Sequence, residues 1–177
     1  MRRWGLLVGM ASALLGCSLF GGASTKSEPP PVESSPRSVL AGRIGEVLEL
    51  SVPLLEGGVL DLAELRGRPV LLELADAESP QRESAQARYR AMVEREADGV
   101  VVVSVALDPR TDALPAAWID DRPPFILGWD PQGALAARLQ LVTLPTVVLL
   151  DDVGAIVAVH ERSPPDDAAL AQWLHPG

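Results

Sequence analysis

One run constrains this chain more than any other: Val100-Val101-Val102-Val103-Ser104-Val105-Ala106-Leu107. β-Branched side chains are stiff and fit a pleated surface. A nearly continuous run of them leaves no polar face for water. It therefore predicts a strand buried on both sides, at the centre of a parallel sheet covered by helices. Asp108-Pro109 should end it.

The flanking sequence supplies the other layers. Val70-Leu71-Leu72-Glu73-Leu74, after Pro69, reads as a second central strand. Between the two runs, Pro80 to Ala97 has helical spacing, with Ala85, Tyr89, Met92 and Val93 forming one apolar stripe. Ser79 is the expected N-cap, Pro80 the first helical residue and Gly99 the stop. Upstream, Val47 to Pro53 and Val59-Leu60 read as short strands joined through Gly57-Gly58, and Asp61 to Leu65 as one helical turn ended by Gly67. Downstream, Ala113 to Asp120 is a candidate helix, Phe125 to Trp129 a short strand and Gly133 to Leu139 a short helix. Thr146 to Leu150 and Ala155 to His160 should pair as a hairpin about Asp151-Asp152-Val153-Gly154. A last helix is expected to be capped by Ser163, with Pro164 at its start and Ala169, Leu170, Trp173 and Leu174 as its apolar face. The strand–helix–strand start forces parallel strands with helical crossovers, and the hairpin and terminal helix add an antiparallel pair. The expected architecture is an α/β fold, a three-layer α/β/α sandwich on a mixed central sheet.

The N-terminus has a different character. Met1-Arg2-Arg3 is basic, and Trp4 to Gly16 is apolar or small apart from Ser12. That stretch is shorter than the roughly 20 residues a membrane-spanning helix needs, and it has the layout of an export signal. Leu14-Leu15-Gly16-Cys17 resembles a bacterial lipobox, and Cys17 is the only cysteine in the chain. The resemblance implies cleavage before Cys17 and attachment of acyl chains such as palmitate, each buried CH₂ contributing about 0.8 kcal/mol to anchoring. Ser18, a residue other than Asp after the cysteine, implies the outer membrane of a two-membrane bacterium, with the domain facing the periplasm. Residues 1–16 are thus the expected signal peptide. Residues 17–40 form a lipidated tether rich in Ser, Pro and Gly, including Pro29-Pro30-Pro31, too polar to order itself. Residues 41–177 are one domain with a full core.

The formal charge is −9 over the 177 residues, and losing Arg2 and Arg3 with residues 1–16 makes it −11. No basic patch is available to neutralise phosphates, which argues against nucleic acid as a partner and against anionic membrane surfaces. Acidity of this size serves solubility.

Three stretches resemble the periplasmic thioredoxin-like proteins of the TlpA and redoxin families. Leu65-Arg66-Gly67-Arg68-Pro69-Val70-Leu71-Leu72 is similar to the family segment leading into the central strand. Trp129-Asp130-Pro131-Gln132-Gly133, with Leu135-Ala136 and Leu141-Val142, resembles a second, and Leu144-Pro145-Thr146 through Ile156-Val157 resembles the third and most specific. The resemblance covers about Ile44 to Leu174. It implies a thioredoxin-like fold and a cis Pro145, flanked by Leu144 and Thr146, facing the site. It also implies a W-C-x-P-C-R motif after the Leu71–Leu74 strand. Here stands Ala77-Glu78-Ser79-Pro80-Gln81-Arg82. Aligned on the proline, the cysteines become Glu78 and Gln81; shifted by one residue, they become Ser79 and Arg82. Both alignments remove both sulfurs.

Thiol–disulfide exchange needs a thiolate, so no catalytic residue is assigned to this loop. Glu78 or Ser79 is expected near the positive end of the following helix. A serine nucleophile needs a neighbouring base, and the two histidines, His160 and His175, are not expected beside Ser79. Asp151-Asp152 reads as a hairpin turn, Asp166-Asp167 as the acidic first turn of a helix and Glu94-Arg95-Glu96 as a solvated helix face; Trp118 and Trp129 read as packing residues. No metal or cofactor is expected. The sequence points to a membrane-anchored, protein-binding or scaffolding module with a periplasmic client. The alternative is an enzyme related to thiol–disulfide oxidoreductases that borrows partner thiols or uses other chemistry.

Overall fold

The computed structural model describes residues 39–97, 99–107 and 124–177. Five strands make the main sheet: β3 (Val70–Ala75), β4 (Val101–Ala106), β5 (Ile126–Trp129), β6 (Thr146–Leu150) and β7 (Ile156–Glu161). Their order is β5-β4-β3-β6-β7. β4 runs parallel to β3 and to β5, whereas β6 is antiparallel to β3 and to β7. β3 and β4 are buried at all six positions each, as runs without alternation require.

Helices α1 (Arg82–Glu96) and α3 (Asp167–Leu174) cover one face of the sheet. There Ala85, Tyr89, Met92, Val93, Leu170 and Trp173 pack on Leu71, Val102, Val147 and Leu149. The Trp173 indole N–H also donates to the Leu150 carbonyl at 3.1 Å. The opposite face carries α2 (Ala134–Arg138), the ribbon of β1 (Ser51–Pro53) with β2 (Val59–Asp61), and two 3₁₀ turns. Its core joins Leu40, Leu50, Leu62 and Leu135 to Val70, Leu72, Val103 and Val148. The result is the three-layer sandwich on a mixed sheet. The first 3₁₀ turn, Val39–Arg43, already buries Leu40.

Several boundaries differ from the sequence reading. The first strand is shorter than Val47 to Pro53: Val47 makes only an isolated bridge to Ala155, and regular pairing begins at Ser51. Helix α1 starts at Arg82 with Gln81 as N-cap, not at Pro80 behind Ser79. Ser79 is committed to a tight turn instead, its carbonyl accepting from the Arg82 N–H at 3.1 Å, and Pro80 occupies the turn position that its fixed φ suits. The cap of α3 is Asp166 rather than Ser163, its carboxylate accepting from the Ala169 N–H at 2.8 Å. The expected helix over Ala113 to Asp120 lies outside the described residues, as do Trp118, Asp108, Pro109 and the whole N-terminal region with Cys17.

Candidate functional site

The positions that matched the family motif lie where β3 leaves the sheet and turns into α1. The loop is built on local hydrogen bonds. Asp76 Oδ1 accepts from the Glu78 N–H at 2.9 Å, and the Asp76 carbonyl accepts from the Ser79 N–H at 3.1 Å. The Ser79–Arg82 turn follows, and Ser84 Oγ donates to the Gln81 carbonyl at 2.9 Å. An Asx turn and a proline turn in series leave little backbone freedom. Ala77 is buried, Glu78, Pro80 and Gln81 are exposed, and Ser79 and Arg82 are half-buried. The N-cap of α1 is Gln81, so Ser79 does not hold the capping position expected of it.

The second wall comes from the start of β6. The antiparallel register sets Leu74 opposite Thr146, which puts Pro145 beyond the last pair, at the same end of the sheet as the loop. The Leu144–Pro145 peptide is cis. Pro145 is buried, and its carbonyl accepts from the Arg162 N–H at 2.8 Å. Thr146 Oγ1 donates to the Thr143 carbonyl at 2.8 Å. Leu144 and Val142, alternate residues of this segment, stay exposed at 40% and 49%. Exposed apolar side chains thus precede β6 at the same end of the sheet as a polar, sulfur-free loop.

The strand that leads into the loop carries a further group, absent from the sequence-based candidates. Glu73 on β3 is only 1% exposed. Register sets it opposite Ser104 of β4, and Ser104 Oγ donates to Glu73 Oε2 at 2.6 Å. Burial pushes the Glu73 carboxyl above the usual carboxylate range; the Ser104 hydrogen bond and the Arg82 charge pull the other way. Tyr89 is pushed up in turn, by burial first and then by the Glu73 charge. Its hydroxyl and the Gln86 side-chain nitrogen are buried without a hydrogen-bond partner. The signal that could have found this cluster is the interruption of two apolar runs by one polar residue each, Glu73 and Ser104.

The other candidates have structural roles. Asp151 Oδ1 accepts from the Val153 and Ala155 N–H groups and builds the hairpin turn. Asp130, buried, accepts from the N–H groups of Ala134, Leu135 and Ala136 and starts α2. Arg95 pairs with Glu96 at 3.0 Å on the α1 surface, and His175 Nε2 lies 3.4 Å from Glu96 Oε2. His160 sits on β7, two strands from β3, where burial lowers its pKa against the pull of Asp166. Trp129 packs half-buried against Ala77 and Ala106. Among the described residues, no group of three or more His, Cys, Asp or Glu side chains could hold a metal ion, and no helix is long and apolar enough to cross a membrane.

No protein-family model matches the sequence, and no curated protein matches it either. Solved structures do match. A thiol-disulfide oxidoreductase from Bacteroides fragilis aligns at 24% identity and a TM-score of 0.59, over 72% of this chain and 96% of that one. StoA from Bacillus subtilis aligns at 18% and 0.55, over 74% and 99%. The exposed lipoprotein thioredoxin of Streptococcus pneumoniae aligns at 18% and 0.57, over 72% and 98%. At these identities the likeness shows the fold, which is thioredoxin-like. The one cysteine of this chain, Cys17, lies far from the loop in sequence, so a C-x-x-C pair is missing from that fold.

Proposed function

We propose that this chain is a lipid-anchored binding module of the bacterial cell envelope, held to the membrane through Cys17 and facing the periplasm. Its ligand would be an extended segment of a partner protein, received between the 77–82 loop and Leu144-Pro145. One observation carries the reading. The loop at the head of α1 has Glu78, Ser79, Gln81 and Arg82 where sulfur would be needed, while Val142 and Leu144, just before β6 at the same end of the sheet, remain exposed and apolar. Electron transfer through a disulfide is closed to such a surface, but burial of apolar side chains by a partner is not.

A fold shared with thiol–disulfide oxidoreductases favours a second reading, an enzyme that works on thiols its partner supplies. Two experiments separate them. Leu144→Asp combined with Glu78→Ala should reduce partner recovery after cross-linking in cells, and unchanged recovery removes the groove from consideration. A disulfide-reduction assay on the purified chain should match the protein-free blank; turnover above it establishes the enzyme reading instead.

A further inference from the structure

Among the described residues eight large apolar side chains are exposed, and five of them, Val39, Ile44, Val47, Val153 and Val157, lie in two short stretches. Backbone hydrogen bonds join the stretches into one surface. The Gly45 N–H donates to the Ile156 carbonyl at 2.8 Å, the Ile156 N–H to the Glu46 carbonyl at 2.9 Å and the Leu48 N–H to the Gly154 carbonyl at 2.9 Å. Residues 45–48 thus run antiparallel along the outer edge of β7, the last strand of the sheet, with Val47 opposite Ala155. Two of the exposures go against local expectation. Val153 is apolar at the tip of a hairpin turn, where polar residues are the rule. Val157 is the extra residue where β7 slips against β6, between Ile156, opposite Leu150, and Ala158, opposite Leu149; a bulge of this kind re-aims a side chain. The flanking charges balance. Arg43 pairs with Glu46 at 2.9 Å. The Gly67 N–H donates to the Asp152 carbonyl at 2.7 Å, which brings the exposed Arg66 and Arg68 to the turn that holds Asp151 and Asp152. A locally neutral, apolar patch stands out on a chain of formal charge −9.

The patch also lies where the chain enters the domain. Val39 is 22 residues after Cys17, and Leu40 beside it is already buried. A flexible tether of that length has a root-mean-square span of about 26 Å, less than the width of a domain of about 140 residues, roughly 35 Å. We infer that this patch is the face the domain lays on the lipid bilayer: Val39, Ile44, Val47, Val153 and Val157 enter the headgroup boundary, and Arg66 and Arg68 reach back to its polar layer. The inference rests on the lipid-anchor reading above. Contact with a bilayer needs no shape complementarity, and the high local concentration that a short tether enforces makes weak contacts sufficient. A second copy of the chain would have to bury about 800 Å² on each partner for a stable interface, more than these five half-exposed side chains offer. An orientation follows. β6 runs from Thr146, at the end of the sheet where the 76–82 loop begins, to Leu150 and the hairpin turn. The patch is therefore at the opposite end of the sheet from Leu144-Pro145, and docking it turns that groove away from the bilayer.

The test uses the full chain expressed in a two-membrane bacterium, taken from the membrane fraction and reconstituted in phosphatidylcholine vesicles that include a diazirine-bearing phosphatidylcholine. After photolysis, lipid adducts mapped by mass spectrometry should concentrate in peptides carrying 39–47 and 153–157 and be missing from α1. Ile44→Asp combined with Val153→Asp should cut those adducts several-fold while the protein stays with the vesicles. Val59→Asp, at an exposed apolar residue outside the two stretches, should leave them unchanged. Adducts confined to residues 17–38, spread evenly over the domain or unaltered by the double substitution overturn the inference. Protein–protein cross-links at the patch also overturn it, and assign the surface to a second copy. Each of these outcomes leaves lipid attachment at Cys17 standing. A chain missing from the membrane fraction sinks that attachment and, with it, the docked face.

Discussion

Ser104 Oγ donates a 2.6 Å hydrogen bond to Glu73 Oε2 across the parallel β3–β4 pair, between residues 31 apart in the chain. The bond lies in the core, with Glu73 and Ser104 both buried. It holds a carboxyl group inside the sheet, on the strand that leads into the 76–82 loop.

The stability of the protein should therefore depend on Glu73 in a defined direction. Its carboxyl is raised in the folded state, mainly by burial. The folded chain thus binds the proton more tightly than the unfolded chain, and stability falls as pH climbs through the unfolded carboxyl value towards the folded one. Glu73→Gln should be more stable than the parent at pH 8. The advantage should shrink on acidification and vanish at pH values below the unfolded carboxyl range. Denaturant midpoints measured across that range check it; an advantage independent of pH refutes the assignment.

Ser104→Ala should be destabilising where Glu73 is charged, by about 1–3 kcal/mol, because it strips the 2.6 Å hydrogen bond from a buried acceptor. Combined with Glu73→Gln the loss should be smaller, and a double-mutant cycle by chemical denaturation reads the coupling.

The loop geometry makes a prediction about sulfur. Ser79 and Arg82 end a hydrogen-bonded turn, whose first and last Cα atoms lie within about 7 Å of each other, at the edge of disulfide range. The double substitution Ser79→Cys with Arg82→Cys should close an intramolecular disulfide under mild oxidation. Mass spectrometry with and without thiol alkylation would show it, and persistence of two free thiols would speak against the turn.

Gly128 in β5 is set by close approach. A Cβ there would lie 2.9 Å from Val52 Cγ1, 3.0 Å from the Pro53 carbonyl oxygen and 3.0 Å from Val105 Cγ2. Gly128→Ala should cost about 1–3 kcal/mol through overpacking and loosen the β1–β2 ribbon against the sheet. Thermal melts and amide exchange at Leu54 and Leu55, which pair with β5, would report both effects.

The proposed anchor has its own test. Cys17→Ala should move the protein from the membrane fraction to the soluble or precursor fraction, with loss of labelling by a fatty-acid analogue. Membrane retention without label would require a different attachment.

The sequence by itself determined the layers. Apolar runs at Val70–Leu74 and Val100–Leu107, each with one polar residue, read as strands covered on both faces, and the stripe of Ala85, Tyr89, Met92 and Val93 as a helix lying on them, because side-chain period is a local property of the backbone. The absence of sulfur from 77–82 was likewise legible residue by residue. Capping was not: Ser79 and Ser163 have the right chemistry, yet Gln81 and Asp166 hold the positions, since neighbouring turns decide which residue the helix begins behind. The buried acid depended wholly on tertiary structure. Glu73 and Ser104 each look like a blemish in an apolar run, and only the strand register makes them partners. Only the placement of α1 puts Arg82 and Tyr89 over the same spot, where the low polarity of the core turns a carboxyl into a group that resists its charge.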